Sequence, residues 1–238
     1  MKFNLYLLTL AGFVLGSSGC TNRNRAEIMY AKEVFDKKWA NTEDEKPNSF
    51  TQKVIQNNSQ GTAKTIIDVG AGDGRDTGVF VENGMIVTVV ETSASGIAKI
   101  RKKFPQSVTI IDSDMRNVDY GREKYGHIYS YSSIHYLSVG DRRVLLKKFY
   151  ESLQNRGFLY VACRSTSDPM ASKGEIVGEN TRIFNGVART FLSLEQLSRE
   201  LREAGFDIVF ADEIQSKYHE TKKEPESIFA RVIAQKKK

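Results

Sequence analysis

The sequence predicts a doubly wound α/β domain built on a mostly parallel, seven-stranded sheet. Three observations carry this expectation. Ile66-Ile67-Asp68-Val69-Gly70-Ala71-Gly72-Asp73-Gly74-Arg75-Asp76 is a β-favouring apolar run that breaks into three alternate glycines and then a helical stretch. A second apolar run, Met85 to Glu91, ends in an acid. That acid falls at the carboxyl edge of the strands, where open α/β sheets bind their ligands. Further short apolar runs then alternate with amphipathic stretches, the order of a βαβ wind.

A chain of 238 residues suits one ordinary α/β domain with a sizeable core. The formal charge of +6 is mild, and Lys236, Lys237 and Lys238 supply part of it. No basic-aromatic stripe accompanies that tail, so it reads as solvated chain and no nucleic-acid partner is expected. The two cysteines, Cys20 and Cys163, give no metal-binding spacing and no disulfide scaffold. Cys163 ends an apolar run and reads as a small buried residue. No metal is expected.

The organisation divides into residues 1–20, 21–60 and 61–238. In the first segment Lys2 precedes the apolar run Phe3 to Leu15, and Gly16-Ser17-Ser18-Gly19-Cys20 follows. This is the layout of a bacterial secretory signal, and Cys20 makes it similar to a lipoprotein signal. Ser17 stands where those signals usually carry Leu. The run is short for a membrane span. Three readings stand: a signal on an exported protein, an uncleaved anchor at the inner face, or a start at Met29. Residues 21–60 form a helical cap, with Met29 to Ala40 and Asn48 to Asn57 as its two helices.

The third segment opens on the glycine turn. Glycine there permits backbone angles that a Cβ forbids and lets a ligand approach the main chain. The helix after it, Arg75 to Gly84, offers free N–H groups at its start. Glu91 ends the second strand and can accept both hydrogens of a ribose diol. Ser93 caps a helix that runs to Phe104 and stops at Pro105. Val108 to Ile111 is the third strand, followed by Asp112-Ser113-Asp114-Met115. His127 to Ser132 is the fourth, followed by Ser133-Ile134-His135-Tyr136. Asp141 to Gln154 reads as a helix with Leu145, Phe149 and Leu153 on one face, ended by Gly157. Phe158 to Cys163 is the fifth strand. Arg164 to Arg189 reads as a long polar loop of the lid or substrate type, with Arg164, Arg182 and Arg189 as anion-binding candidates. Ser193 and Gln196 form a capping box for a helix that ends at Gly205. Phe206 to Phe210 and Ser227 to Gln235 are the last two strands.

Asp68-Val69-Gly70-Ala71-Gly72-Asp73-Gly74 resembles the first motif of the class I, Rossmann-like, S-adenosylmethionine (SAM) methyltransferases. The dinucleotide fingerprint differs, with two residues between its second and third glycines. The phrases Phe191-Leu192-Ser193-Leu194-Glu195-Gln196-Leu197 and Glu203-Ala204-Gly205-Phe206 resemble the C-terminal part of small-molecule members, including the tellurite-resistance type. The resemblance runs from about residue 60 to the end. It implies that the final strand inserts antiparallel and that the chain transfers the SAM methyl group to a small-molecule acceptor. It implies cofactor contacts from Asp68, Gly70, Gly72, Gly74, Glu91, Asp114, Met115 and Ser132, with Asp112 the rival of Asp114 for the adenine amine. It implies that the leading helices cover the cofactor. On the acceptor side it points to His135 and Tyr136. His135 stands as a general base, a hydrogen-bond donor or a packed structural residue. The Asn/Asp-Pro-Pro-aromatic tetrapeptide of many amino-group methyltransferases is absent.

Two other classes stand beside this reading. One is a nicotinamide-dependent reductase, opposed by the glycine spacing and the lack of a Tyr-x-x-x-Lys pair. The other is a membrane-tethered domain that keeps the fold without the reaction.

Overall fold

The computed structural model describes residues 31–42, 46–58, 64–216 and 227–237. The signal-like segment, Cys20 and Met29 lie outside the described residues. Residues 31–40 are helical (α1). The elements that follow are α2 (Thr51–Asn58), β1 (Thr65–Val69), α3 (Thr77–Glu82), β2 (Ile86–Glu91), α4 (Ala94–Lys103), β3 (Val108–Asp112), β4 (Tyr125–Tyr131), α5 (Val139–Ser152), β5 (Leu153–Arg164), β6 (Glu175–Gly178), β7 (Thr181–Phe184), β8 (Val187–Thr190), α6 (Leu194–Glu203), β9 (Asp207–Ser216) and β10 (Ser227–Gln235). Among the described residues no helix is long and apolar enough to cross a membrane.

The main sheet has seven strands in the order β3-β2-β1-β4-β5-β10-β9. β10 runs antiparallel to both of its neighbours, as the sequence resemblance implies. The order reverses between β1 and β4, so the carboxyl ends of β1 and β4 flank a topological switch point. Register fixes the edge: Val69 pairs with Val90, and Glu91 with Asp112. The ends of β1, β2 and β3 therefore lie level.

Alternation along the strands sends side chains to two cores. Ile67, Val69, Val90 and Ile128 pack with Leu145, Leu146 and Phe149 of α5 and with Leu197 and Leu201 of α6. Ile66, Val87, Val89 and Tyr129 pack on the other face with Phe80 of α3, Ile100 of α4 and Val54 of α2. Each such side chain, fully buried, stabilises by about 1.5–3 kcal/mol. Asn48 pins α2 to the second face: its N–H donates to Asp76 Oδ1 at 3.0 Å, and its side-chain amide donates to the Tyr129 hydroxyl at 2.7 Å. The Ser193–Gln196 capping box closes reciprocally at the start of α6.

Three expectations are corrected. The helix expected over Asp141 to Gln154 runs from Val139 to Ser152, and Gly157 lies within β5 rather than ending the helix. Leu153, which continues the helical spacing, instead opens β5 opposite Tyr125, and a register shift before the His127–Phe158 pair absorbs Gln154 to Gly157. β9 extends to Ser216, well past Phe210. Its polar alternation suits an edge strand paired on one side only. The segment from Arg164 to Arg189 is not simply a loop. It contains a three-stranded antiparallel sheet, β6-β7-β8. Asn185 and Gly186, both at positive φ (49° and 78°), form the two-residue turn between β7 and β8.

Candidate active site

The glycine turn leaves β1 at the switch point. Gly70, Gly72 and Gly74 all have positive φ, at 77°, 62° and 78°. The Gly70 N–H donates to the Val90 carbonyl at 2.8 Å, which ties the turn to β2. A Cβ on Gly70 would lie 2.5 Å from that of Ser133, whose hydroxyl donates to the Val69 carbonyl. The glycine thus admits the segment after β4. A Cβ on Gly72 would lie 2.5 Å from the Trp39 indole of α1. A Cβ on Gly74 would meet Ile100 of α4 at 2.9 Å.

Glu91 is buried and organises the turn from the neighbouring strand. Its Oε2 accepts the Gly72 N–H at 2.7 Å, and its Oε1 accepts the Thr92 and Ser93 N–H groups, each at 2.8 Å. Burial raises its pKa above the ordinary value, while these N–H groups and the nearby Lys38 pull the other way. Asp68 is buried beneath the turn and accepts the Thr77 hydroxyl at 2.6 Å. Burial raises its carboxyl to about 7, against the pull of that hydrogen bond.

On the loop after β3, Asp114 accepts three N–H groups from Arg116: the backbone at 2.9 Å, Nε at 2.8 Å and Nη2 at 2.6 Å. Its pKa is lowered: burial raises it, but the Arg116 bonds and charge outweigh that. Asp112 is exposed at the end of β3. The Met115 methyl lies 3.7 Å from where a Cβ on Gly70 would stand. Ser132, at the end of β4, holds a left-handed φ of 57°, a conformation rarely adopted outside glycine and found at constrained sites.

The 3-10 turn Ile134–Tyr136 then presents His135 and Tyr136. Their rings lie 4.4 Å apart, and Phe35 of α1 meets Tyr136 edge-on at 5.0 Å. His135 is fully buried. Burial first, and then the charges of Arg189, Arg164, Arg142 and Lys38, hold its pKa well below 6.5, so the ring is neutral. Its Nδ1 accepts the Arg164 N–H at 3.4 Å. A neutral imidazole has one N–H, which therefore sits on Nε2. Arg189 of β8 donates from Nη2 to the Tyr136 hydroxyl at 2.8 Å. Burial pushes the Tyr136 phenol up, but Arg189 and Lys38 prevail and its pKa is lowered from 10.0.

The structure thus gathers Asp68, the three glycines, Glu91, Met115, Ser132, His135 and Tyr136 along the carboxyl ends of β1, β2 and β4. Asp114 lies beyond β3 with its carboxylate engaged by Arg116. Two expected additions reach the site, and the structure supplies the contacts that the sequence does not show. α1 brings Phe35, Lys38 and Trp39 onto the site, and Asp36 fastens it by accepting the Ser95 N–H at 3.3 Å. Arg189 arrives from the small sheet. Arg182, its fellow candidate, bonds only its neighbour's carbonyl, Thr181, at 3.1 Å.

A glycine turn that bonds a buried carboxylate, Glu91, with a second buried acid, Asp68, beneath it, suits a ligand with both cationic and hydrogen-bonding groups. SAM carries a sulfonium, an ammonium and a ribose diol, and these residues fit it.

Residues 66–157 match the methyltransferase domain family. Over 63 residues the chain is 32% identical to the mycinamicin-resistance protein MyrB of Micromonospora griseorubida, a match spanning 26% of this chain and only 20% of that protein. The fold is similar to that of the 1,6-didemethyltoxoflavin-N1-methyltransferase of Burkholderia thailandensis, solved with 1,6-didemethyltoxoflavin and S-adenosylhomocysteine. That likeness has a TM-score of 0.65 at 14% identity and covers 96% of this chain and 94% of the other. It is also similar to the glycopeptide N-methyltransferase MtfA, with a TM-score of 0.58 at 20% identity over 79% and 95% of the two chains. At these identities the structural likenesses establish the fold.

Proposed function

We propose that this chain, a class I SAM-dependent methyltransferase, moves a methyl group onto a small molecule held between the turn after β4 and the small sheet. The observation that carries the reading is the Glu91–Gly72 bond. It locks a ligand-type glycine turn at the switch point, inside the stretch that matches the methyltransferase domain. The similar proteins act, by their names, on a toxoflavin precursor and a glycopeptide, which supports a small-molecule acceptor.

SAM supplies an activated methyl group on a sulfonium. The protein's share is positioning, and holding donor and acceptor in line accounts for on the order of 7–11 kcal/mol of the barrier. Gly70, Gly72 and Glu91 hold the nucleoside end, Met115 packs beside the turn, and the Asp68 carboxyl lies beneath it. On the acceptor side, His135 is a hydrogen-bond donor in its present tautomer, which sets aside a general-base role for Nε2. Tyr136, its proton loosened by Arg189, is the group placed to take a proton from an acceptor that must lose one. α1 and the small sheet exclude water from the reacting atoms.

The test is calorimetric titration of the folded chain with SAM, S-adenosylhomocysteine and NADH. Saturable binding of the first two without NADH is the expected result. Binding of NADH alone would return the site to a nicotinamide enzyme, and no binding at all would leave a fold without its reaction.

A further inference from the structure

Two buried nitrogens in the acceptor region have no hydrogen-bond partner among the described residues: His135 Nε2 and Arg189 Nε. Both are donors. The His135 proton is assigned to Nε2 because Nδ1 accepts the Arg164 N–H. Arginine nitrogens only donate. The rest of the Arg189 guanidinium is engaged. Nη2 bonds Tyr136 at 2.8 Å, Nη1 faces Met170 Sδ at 3.8 Å, and the plane lies 5.1 Å from the Tyr136 ring and 5.5 Å from the Phe184 ring. Nε alone is left over, on a side chain fixed from three directions.

The two orphans are neighbours. Arg189 donates to Tyr136, whose ring lies 4.4 Å from that of His135 at a tilt of 51°, and Arg189 is the charge that weighs most on the imidazole. The surrounding charges that act on both rings are cations: Arg189, Arg164 and Lys38. Asp168 offsets Arg164 through a 2.8 Å ion pair. Among the described residues no acid bonds Arg189. A buried donor without an acceptor is costly, and a buried cation without an anion more so. The feature that relieves both at once is a negatively charged oxygen.

We propose that His135 Nε2–H and Arg189 Nε–H together bind an anionic oxygen of the methyl acceptor, a carboxylate or an enolate-type oxygen, and so select acidic small molecules. The proposal rests on the methyl-transfer reading above. It adds that the acceptor carries negative charge next to Tyr136 and explains why the small sheet is there: β8 delivers the arginine.

The experiment uses the full chain saturated with S-adenosylhomocysteine and matched probes of equal shape, acetate against acetamide and benzoate against benzamide. Calorimetry is expected to show the anions binding about tenfold or more tightly than their neutral isosteres, the scale of a hydrogen bond to a charged group. Arg189→Gln and His135→Phe are each expected to erase that preference while leaving S-adenosylhomocysteine affinity within about twofold, a shift too small to report a lost contact. Nitrogen-resolved NMR of the wild-type chain is expected to show the His135 Nε2–H signal shifting with benzoate and not with benzamide. If the nucleoside binds but neither anion outbinds its isostere, the acidic-acceptor proposal is overturned and the methyltransferase reading stands. If the folded chain fails to bind the nucleoside, both fall together. The wild-type comparison decides the matter even if a variant does not fold.

Discussion

Asp68 couples the site to the stability of the chain. Its carboxyl is raised to about 7 in the folded state, from an ordinary 3.8. Between those values the folded chain keeps a proton that the unfolded chain has released. Its contribution to stability therefore falls as pH rises from about 4 to about 7, by at most about 1.4 kcal/mol per unit. The buried histidines work in the opposite direction. Burial lowers His127 to about 4, so its share of stability grows as pH rises toward its unfolded value. Only a difference isolates Asp68. Asp68→Asn has no proton to lose, and its amide oxygen can still accept the Thr77 hydroxyl. Denaturant unfolding at a series of pH values is expected to show the variant gaining on the wild type from pH 4 to 7 and holding a constant lead above. A pH-independent difference would mean that Asp68 ionises normally. At this scale the sequence is legible where the backbone demands a residue type: the glycines are glycine because their φ is positive. It is not legible about what fills the space beside them. Ser133 and Trp39, distant in sequence, do so at Gly70 and Gly72. Nor do its own neighbours reveal Arg189, whose role exists only once β8 meets the turn after β4.

Helices α5 and α6 are joined by one buried ion pair. Arg142 Nε and Nη2 donate to Glu200 at 2.6 and 2.7 Å, and Nη1 donates to the Leu137 carbonyl at 3.1 Å. Arg142 is fully buried, so removing its partner strands a charge in the core. Glu200→Ala is expected to cost about 3–5 kcal/mol in urea unfolding, whereas the double variant Arg142→Met with Glu200→Leu is expected to recover most of it. A single-variant cost near zero would show that Arg142 finds water. Legibility at this scale followed periodicity. The strands with continuous apolar runs and the helix with a capping box stand where their patterns put them. The small sheet was hidden by its polar composition, although Asn185-Gly186 between two β-favouring tetrapeptides is a hairpin signal in its own right. The end of α5 misleads for a different reason: Leu153 satisfies both the helical spacing and the first position of a strand, and pairing with Tyr125 decides between them.

The described residues form a two-faced sheet with two additions at the edge that carries the site, α1 and β6-β7-β8, both of which meet Tyr136. The doubly wound, mostly parallel sheet was legible because short apolar runs alternate with amphipathic stretches in the order of a βαβ wind. The additions were legible in part: the leading helices were expected as a cap and residues 164–189 as a lid or substrate segment, but the strands of the small sheet were not, because their composition is polar. The Trp39 indole, set where a side chain on Gly72 would be, has a temporal meaning as well as a spatial one. We expect α1 to gate exchange: a nucleoside seated on that turn would be retained until the helix lifts, which would slow departure of the demethylated product. Rapid mixing is expected to show a first-turnover burst in the wild type. Trp39→Ala is expected to weaken the burst and hasten product exchange, at the expense of tighter retention. On the proposed function, a site gated in this way would hold its spent donor as a slow-leaving competitor of fresh donor for the same turn.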